Sequence, residues 1–173
     1  MTGGEVYRLT LLRHAKAGAR DIPDQERQLA PEGRRQCPRV ADHLRHAGRL
    51  PQLVLCSSSA RTRETWGLVA EALPEASPEV RYLESLYLGE VADVLTAVAG
   101  ASSAVVDILV VGHEPTMSET ALWLAGEASD AGSLALVQVG VPTASLLLLS
   151  TDDPWQHLTR SGATLSDVLT SRR

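Results

Sequence analysis

The stretch Asp107-Ile108-Leu109-Val110-Val111-Gly112-His113-Glu114-Pro115 decides how the chain is read. After Asp107 come four branched apolar residues in succession, the mark of a short strand buried on both faces. Gly112 allows a tight turn out of that strand, and Pro115 suits the first turn of a helix expected to run to about Ala125. His113 is thereby placed between a strand end and a helix start.

Two further segments repeat this design. Val6 to Leu12 is a loosely alternating strand that runs straight into Arg13-His14, and Leu53 to Cys56 is an apolar run leading into Ser57-Ser58-Ser59 and Arg61. Helices are expected over Pro31 to about Ala47 with Gly48 as the stop, over Thr62 to Leu73 before Pro74, and over Ala92 to Ala99. Val80 to Leu83 and Ala144 to Leu149 complete the strands. Ala15 to Gln28 and Gly126 to Ser133 read as loops, and no element is assigned after Gly162. Alternating strand and helix predicts an α/β chain, a three-layer α/β/α sandwich with a mostly parallel central sheet, as a single domain over residues 1–173. In such sheets the ligand sits beyond the carboxyl ends of the strands. The polar clusters at Arg13-His14, Ser57 to Arg61 and Gly112-His113 should therefore meet in one crevice.

Composition narrows the function classes. The 173 residues are 44% hydrophobic, enough for a sizeable core, but Phe is absent and aromatics make up 3%, so that core rests on Leu, Val and Ala. A net charge of −5, with fifteen Arg against the single Lys16, shows no basic footprint for nucleic acid. No apolar run approaches the roughly 18 residues that cross a bilayer, and Met1 to Glu5 lacks the pattern of a secretory leader. A cytoplasmic location is expected, without membrane contact, and Cys37 and Cys56 give no reason for a disulfide framework.

The three clusters form a chemical unit. Phosphoryl transfer needs positioning and positive charge around three equatorial oxygens, which Arg13, Arg61 and His113 could supply. A planar guanidinium matches phosphate oxygens well, and a cation at the start of a helix is favourable chiefly when it meets an anion. A neutral imidazole at His14 could act as covalent nucleophile, dividing one hard displacement into two easier ones. Neighbouring cations would hold it neutral. Asp21 and Asp24 both stand as candidates for orienting a catalytic His, and spacing does not choose between them.

These residues resemble those of the histidine phosphatase (phosphoglycerate-mutase-like) superfamily, and within it the SixA-type phosphohistidine phosphatase branch. Arg13-His14-Ala15 is similar to the Arg-His-Gly motif that ends the first strand, with the Ala familiar in the SixA-like branch. Asp24, Arg27, Leu29 and Gly33 match the following loop and helix pattern, and Ser57, Arg61 and Thr65 the next motif. Val111-Gly112-His113 resembles the late His, and Pro142-Thr143-Ala144 the last strand. The resemblance implies His14 as nucleophile, with Arg13, Arg61 and His113 binding the phosphoryl group and Ser57 in the binding pocket. Glu84, after the third strand, is the matching candidate for proton donor. It also implies a phosphorylated protein carrying phosphohistidine, or a small phosphate ester, as substrate, with neither metal nor organic cofactor.

Competing readings fit less well. A cysteine phosphatase needs five residues between Cys and Arg, whereas four separate Cys56 from Arg61 and six separate it from Arg63, so Cys56 is read as core. His43 and His46 lack a carboxylate or Cys partner at a metal-binding spacing and are read as surface residues. A non-catalytic phosphate-binding module would keep the arginines but has no use for two histidines.

Overall fold

The computed structural model describes residues 5–171. The reading of Met1 to Glu5 as lacking a leader falls almost wholly outside them. Strands β1 (Tyr7–Arg13), β2 (Leu53–Ser57), β3 (Glu79–Leu83), β4 (Asp107–Gly112), β5 (Leu146–Thr151) and β6 (Thr164–Leu169) form one sheet in the order β3-β2-β4-β1-β5-β6. The pairings β3–β2, β2–β4 and β4–β1 are parallel, while β5 pairs antiparallel with both β1 and β6. The sheet is thus mostly parallel, with an antiparallel pair at one edge.

Helices α1 (Pro31–His46) and α2 (Ala60–Glu71) cover one face; α3 (Val91–Ala99), α4 (Thr116–Leu124) and α5 (Ala131–Gln138) cover the other. Alternation along the strands divides the core accordingly. Leu9, Leu11, Leu55, Ile108 and Val110 pack with α3 to α5, whereas Leu12, Val54, Cys56, Leu109 and Val111 pack with α1 and α2. Both faces of β1, β2 and β4 are therefore dry, which is why they read as nearly continuous apolar runs. With no Phe in the chain, Trp155 supplies the largest fully buried side chain. It meets Tyr7 edge-on with centroids 5.1 Å apart, and donates from Nε1 to the Val105 carbonyl at 2.6 Å. Among the described residues no helix is long and apolar enough to cross a membrane.

Three departures from the sequence reading have local causes. The expected loop Gly126 to Ser133 gives way at Ala131 to α5, capped by the Asp130 carboxylate, which accepts from the Ser133 amide at 2.7 Å. Gly132 in the first turn and the shortness of the helix hide it from a periodicity reading. The unassigned tail contains β6, an edge strand whose pairing with β5 shifts register between Leu148 and Leu149, so simple alternation is lost. The last predicted strand begins at Leu146 instead of Ala144. Ala144 has a φ of +58° and sends its amide to the carbonyls of Arg13 and His14, both at 3.1 Å. That strained turn ties the entry of β5 to the end of β1.

Gly33 has an equally local reason. Lys16 passes directly over the start of α1, and a Cβ at Gly33 would lie 2.2 Å from its carbonyl oxygen. Only glycine lets the loop after β1 lie flat on the helix.

Candidate active site

The carboxyl ends of β1, β2 and β4 converge as the strand order requires. Arg13 pairs with Gly112 in the β1–β4 ladder, and the His14 amide continues it by donating to the Gly112 carbonyl at 3.0 Å. The imidazoles of His14 and His113 follow in the same register, with ring centroids 5.3 Å apart.

His14 Nδ1 lies 2.7 Å from the Ala15 carbonyl oxygen. A carbonyl only accepts, so Nδ1 carries the proton and Nε2 keeps its lone pair. Burial pushes the His14 pKa down to about 4, assisted by the charges of Arg61, Arg13 and Arg27 and opposed by the Ala15 hydrogen bond. The backbone beneath is braced as well, since the Ala15 amide donates to Thr65 Oγ1 at 3.0 Å and the Lys16 amide to Gln36 Oε1 at 2.9 Å.

His14 lines a pocket of about 170 Å³ together with Arg13, Lys16, Arg20, Arg27 and Arg61. Among the described residues, five cations and no carboxylate border that space, in a chain whose overall charge is negative. Arg61 is 7% exposed and its guanidinium donates to the Asp24 backbone carbonyl at 2.6 Å, to Asp24 Oδ2 at 3.0 Å and to His113 Nδ1 at 3.3 Å. Arg13 commits Nη1 to the Val141 carbonyl at 2.6 Å, while its buried Nε has no partner among the described residues.

His113 stands behind Arg61, outside the pocket lining. Since Nδ1 accepts from Arg61, the ring proton is on Nε2, which donates to Ser57 Oγ at 2.8 Å. Burial pushes its pKa down to about 3, with His14 and Arg61 adding to the effect. Both rings are therefore neutral at pH 7. Their burial removes stability as pH falls through the interval between 6.5 and these lowered values, because the unfolded chain binds the protons more readily.

The serine cluster separates into three tasks. Ser57 is fully buried and reaches the site only through His113, so its expected place in the pocket lining is corrected to a support beneath that ring. Ser58 donates to Glu84 Oε2, and Ser59 caps α2. Glu84 also accepts from Gln25 Nε2 at 3.2 Å and is not among the residues that line the pocket.

Of the two aspartates that sequence reasoning leaves open, Asp24 is the one at the site, but it pairs with Arg61 and Arg27 and not with a histidine. It also accepts from the Tyr87 hydroxyl at 2.8 Å. That hydroxyl, followed by the two arginines, holds its carboxyl down at about 2. Tyr87, whose ring packs edge-on against His113 at 5.9 Å, is absent from the sequence expectations, as are Lys16 and Arg20 as lining residues. Nothing in local spacing marks Tyr87, because it arrives from a 3-10 turn after β3. Cys56 is fully buried with its thiol pushed up to about 12, chiefly by desolvation, as a core residue should be. His43 and His46 each hydrogen bond a backbone carbonyl, of Thr170 and Asp42, and His43 is half-buried instead of exposed.

The low pKa of His14 makes a direct prediction. An NMR titration of its ring protons should show a midpoint near pH 4, leaving the ring neutral throughout the physiological range. A midpoint near 6.5, the ordinary value, would show that the ring is solvated and the pocket open.

The model of the histidine phosphatase superfamily (branch 1) matches residues 9–92. An uncharacterised protein of Mycobacterium leprae is 34% identical over 159 residues, covering 89% of this chain and 96% of the relative. A solved structure from Nakamurella multipartitia, named as a candidate phosphohistidine phosphatase SixA, is 32% identical with a TM-score of 0.84 and 95% of each chain covered. A second, from Agrobacterium tumefaciens and named in the same way, is 30% identical with a TM-score of 0.78, covering 95% of this chain and 97% of that one. With the two-histidine, cation-lined crevice in place at the strand ends, the chain belongs to the histidine phosphatase superfamily, in its SixA-type branch.

Proposed function

We propose that the protein is a phosphatase acting through a phosphohistidine intermediate on His14, and that its substrate is phosphohistidine on a protein. The observation that carries this reading is the His14 ring itself, held through Nδ1 with a free lone pair on Nε2 inside a pocket bordered by five cations. The similarity to SixA-type structures supports the substrate class.

In the first step Nε2 attacks phosphorus in line, and the bond from phosphorus to the leaving nitrogen or oxygen breaks. Arg13 and Arg61 meet the charge on the equatorial oxygens. Arg61 is preorganised for this by Asp24 and by His113, whose Nδ1 accepts from the guanidinium while Ser57 holds the ring. Because Nδ1 keeps its proton toward Ala15, the phosphorylated ring is cationic. In the second step water attacks phosphorus and the P–N bond breaks toward Nε2, returning a neutral imidazole; the water proton leaves with the phosphate. None of these steps calls for a metal or an organic cofactor.

Proton delivery divides the substrates. An alkoxide leaving group needs an acid, and the candidate, Glu84, is already engaged by Ser58 and Gln25. An imidazole leaving group is far less demanding, which favours phosphohistidine. The test is a comparison of kcat/KM on a histidine-phosphorylated protein and on a panel of small phosphate esters. A preference for the protein below about tenfold, roughly 1.4 kcal/mol of barrier, sinks the protein-specific version.

A further inference from the structure

Arg13 borders two spaces. On one side is the 170 Å³ cationic pocket; on the other is a groove of about 740 Å³ lined by Pro115, Leu122, Val139 and Pro142. Glu119 borders that groove and also a further hollow of about 440 Å³ walled by Val91, Leu95 and Trp123. Arg13 is thus shared by the first two spaces and Glu119 by the last two, and residues of α4 line both the groove and the hollow.

The lining changes character at Arg13. The pocket's charged residues are all cations, whereas the groove beyond has, among the described residues, no other cation and carries Glu114 and Glu119. Glu114 is occupied, accepting from the Ser118 side chain and amide and from the Val141 amide. Glu119 is exposed and, among the described residues, its carboxylate has no hydrogen bond or ion pair. In the lining of the same groove Val139 is 84% exposed. Leu88 is 83% exposed and lies between Tyr87, which abuts His113, and Gly89, whose carbonyl accepts from Thr116 on α4. A small phosphate ester would find use for the pocket and none for this surface.

We propose that the groove from Arg13 past Glu119 to Trp123 seats the polypeptide flanking the phosphohistidine, a segment with apolar side chains and a Lys or Arg that meets Glu119. The proposal rests on the phosphohistidine-protein reading above. It assigns affinity for the protein to the apolar walls, and orientation to Glu119, which attracts the basic flank while Arg13 draws the phosphoryl group the other way.

The test uses two histidine-phosphorylated peptides, one with Leu and Lys flanking the phosphohistidine and a twin with Glu in place of Lys, beside an aryl phosphate. Wild type should favour the Lys peptide by about fivefold in kcat/KM, the scale of one exposed ion pair together with relief of like-charge repulsion. Glu119→Lys should invert that preference, Val139→Ser should slow both peptides about fivefold, and neither should move aryl phosphate turnover. Equal rates on the two peptides in wild type, or an unchanged preference in Glu119→Lys, would overturn the proposal. So would parallel losses on the aryl phosphate, which would place these residues' effect in the pocket. Were wild type to hydrolyse the aryl phosphate and neither peptide, the underlying substrate reading would fail first. Peptides cleaved without discrimination leave that reading standing and remove the groove alone.

Discussion

His14→Ala should stop phosphate release from an aryl phosphate, with kcat falling by at least about 10⁴-fold, the scale on which a covalent nucleophile is missed. The substitution removes the group placed to attack while leaving the cationic pocket standing: Arg61 keeps its hold on Asp24, and the backbone of residue 14 keeps its bond to Gly112. Phosphate binding should therefore survive, and the variant should still bind inorganic phosphate. At pH 7 the folded state should lose the packing of a neutral ring and its bond to the Ala15 carbonyl, but no charge. The decisive readout is the intermediate. Acid-labile, base-stable phosphoryl label trapped on wild type should be absent from His14→Ala, and the wild-type reaction should persist in a chelator. Label retained by the variant would place the nucleophile elsewhere; activity lost to the chelator would replace the covalent mechanism with a metal-assisted one.

How much of this is legible in the sequence depends on where the information lies. The parallel strands β1, β2 and β4 can be read because double burial writes itself as apolar runs, and their polar ends point to one crevice by topology alone. His14, Arg13, Arg61 and His113 are found because each stands within about one turn of such an end. Ser57 is singled out only by the family resemblance, because position leaves Ser57, Ser58 and Ser59 unranked as pocket lining, and the folded chain shows it buried beneath His113. Tyr87 and the choice of Asp24 over Asp21 are illegible for another reason. Both reach the site from turns whose course depends on contacts across 37 to 63 residues of chain, to which no periodicity applies. Edge strand β6 and helix α5 carry weak local signals, a shifted register in one and an early glycine in the other.

Arg61→Ala should lower kcat/KM by about 10²- to 10³-fold, the usual cost of one preorganised donor in such a site. The size of the effect follows from three connections made by one buried guanidinium. It lines the pocket beside His14, it anchors Asp24, and it donates to His113 Nδ1, which holds that ring neutral and turned toward Ser57. A cation at the first turn of α2 opposes the helix dipole, so the chain retains it there through Asp24, whose depressed pKa keeps it ionised. Removal also withdraws a charge that disfavours imidazolium at His14, and the His14 titration midpoint should move upward from about 4. A group that merely supported the fold would lower activity through stability and leave that midpoint in place. Arg61→Lys separates charge from shape: it keeps the cation but cannot reach Asp24, His113 and an oxygen together, and should recover only part of the loss. Activity within about threefold of wild type in Arg61→Ala, far short of the loss of one preorganised donor, would mean that Arg13 alone carries the phosphoryl charge, and the three-way linkage through Arg61 would then be scaffolding.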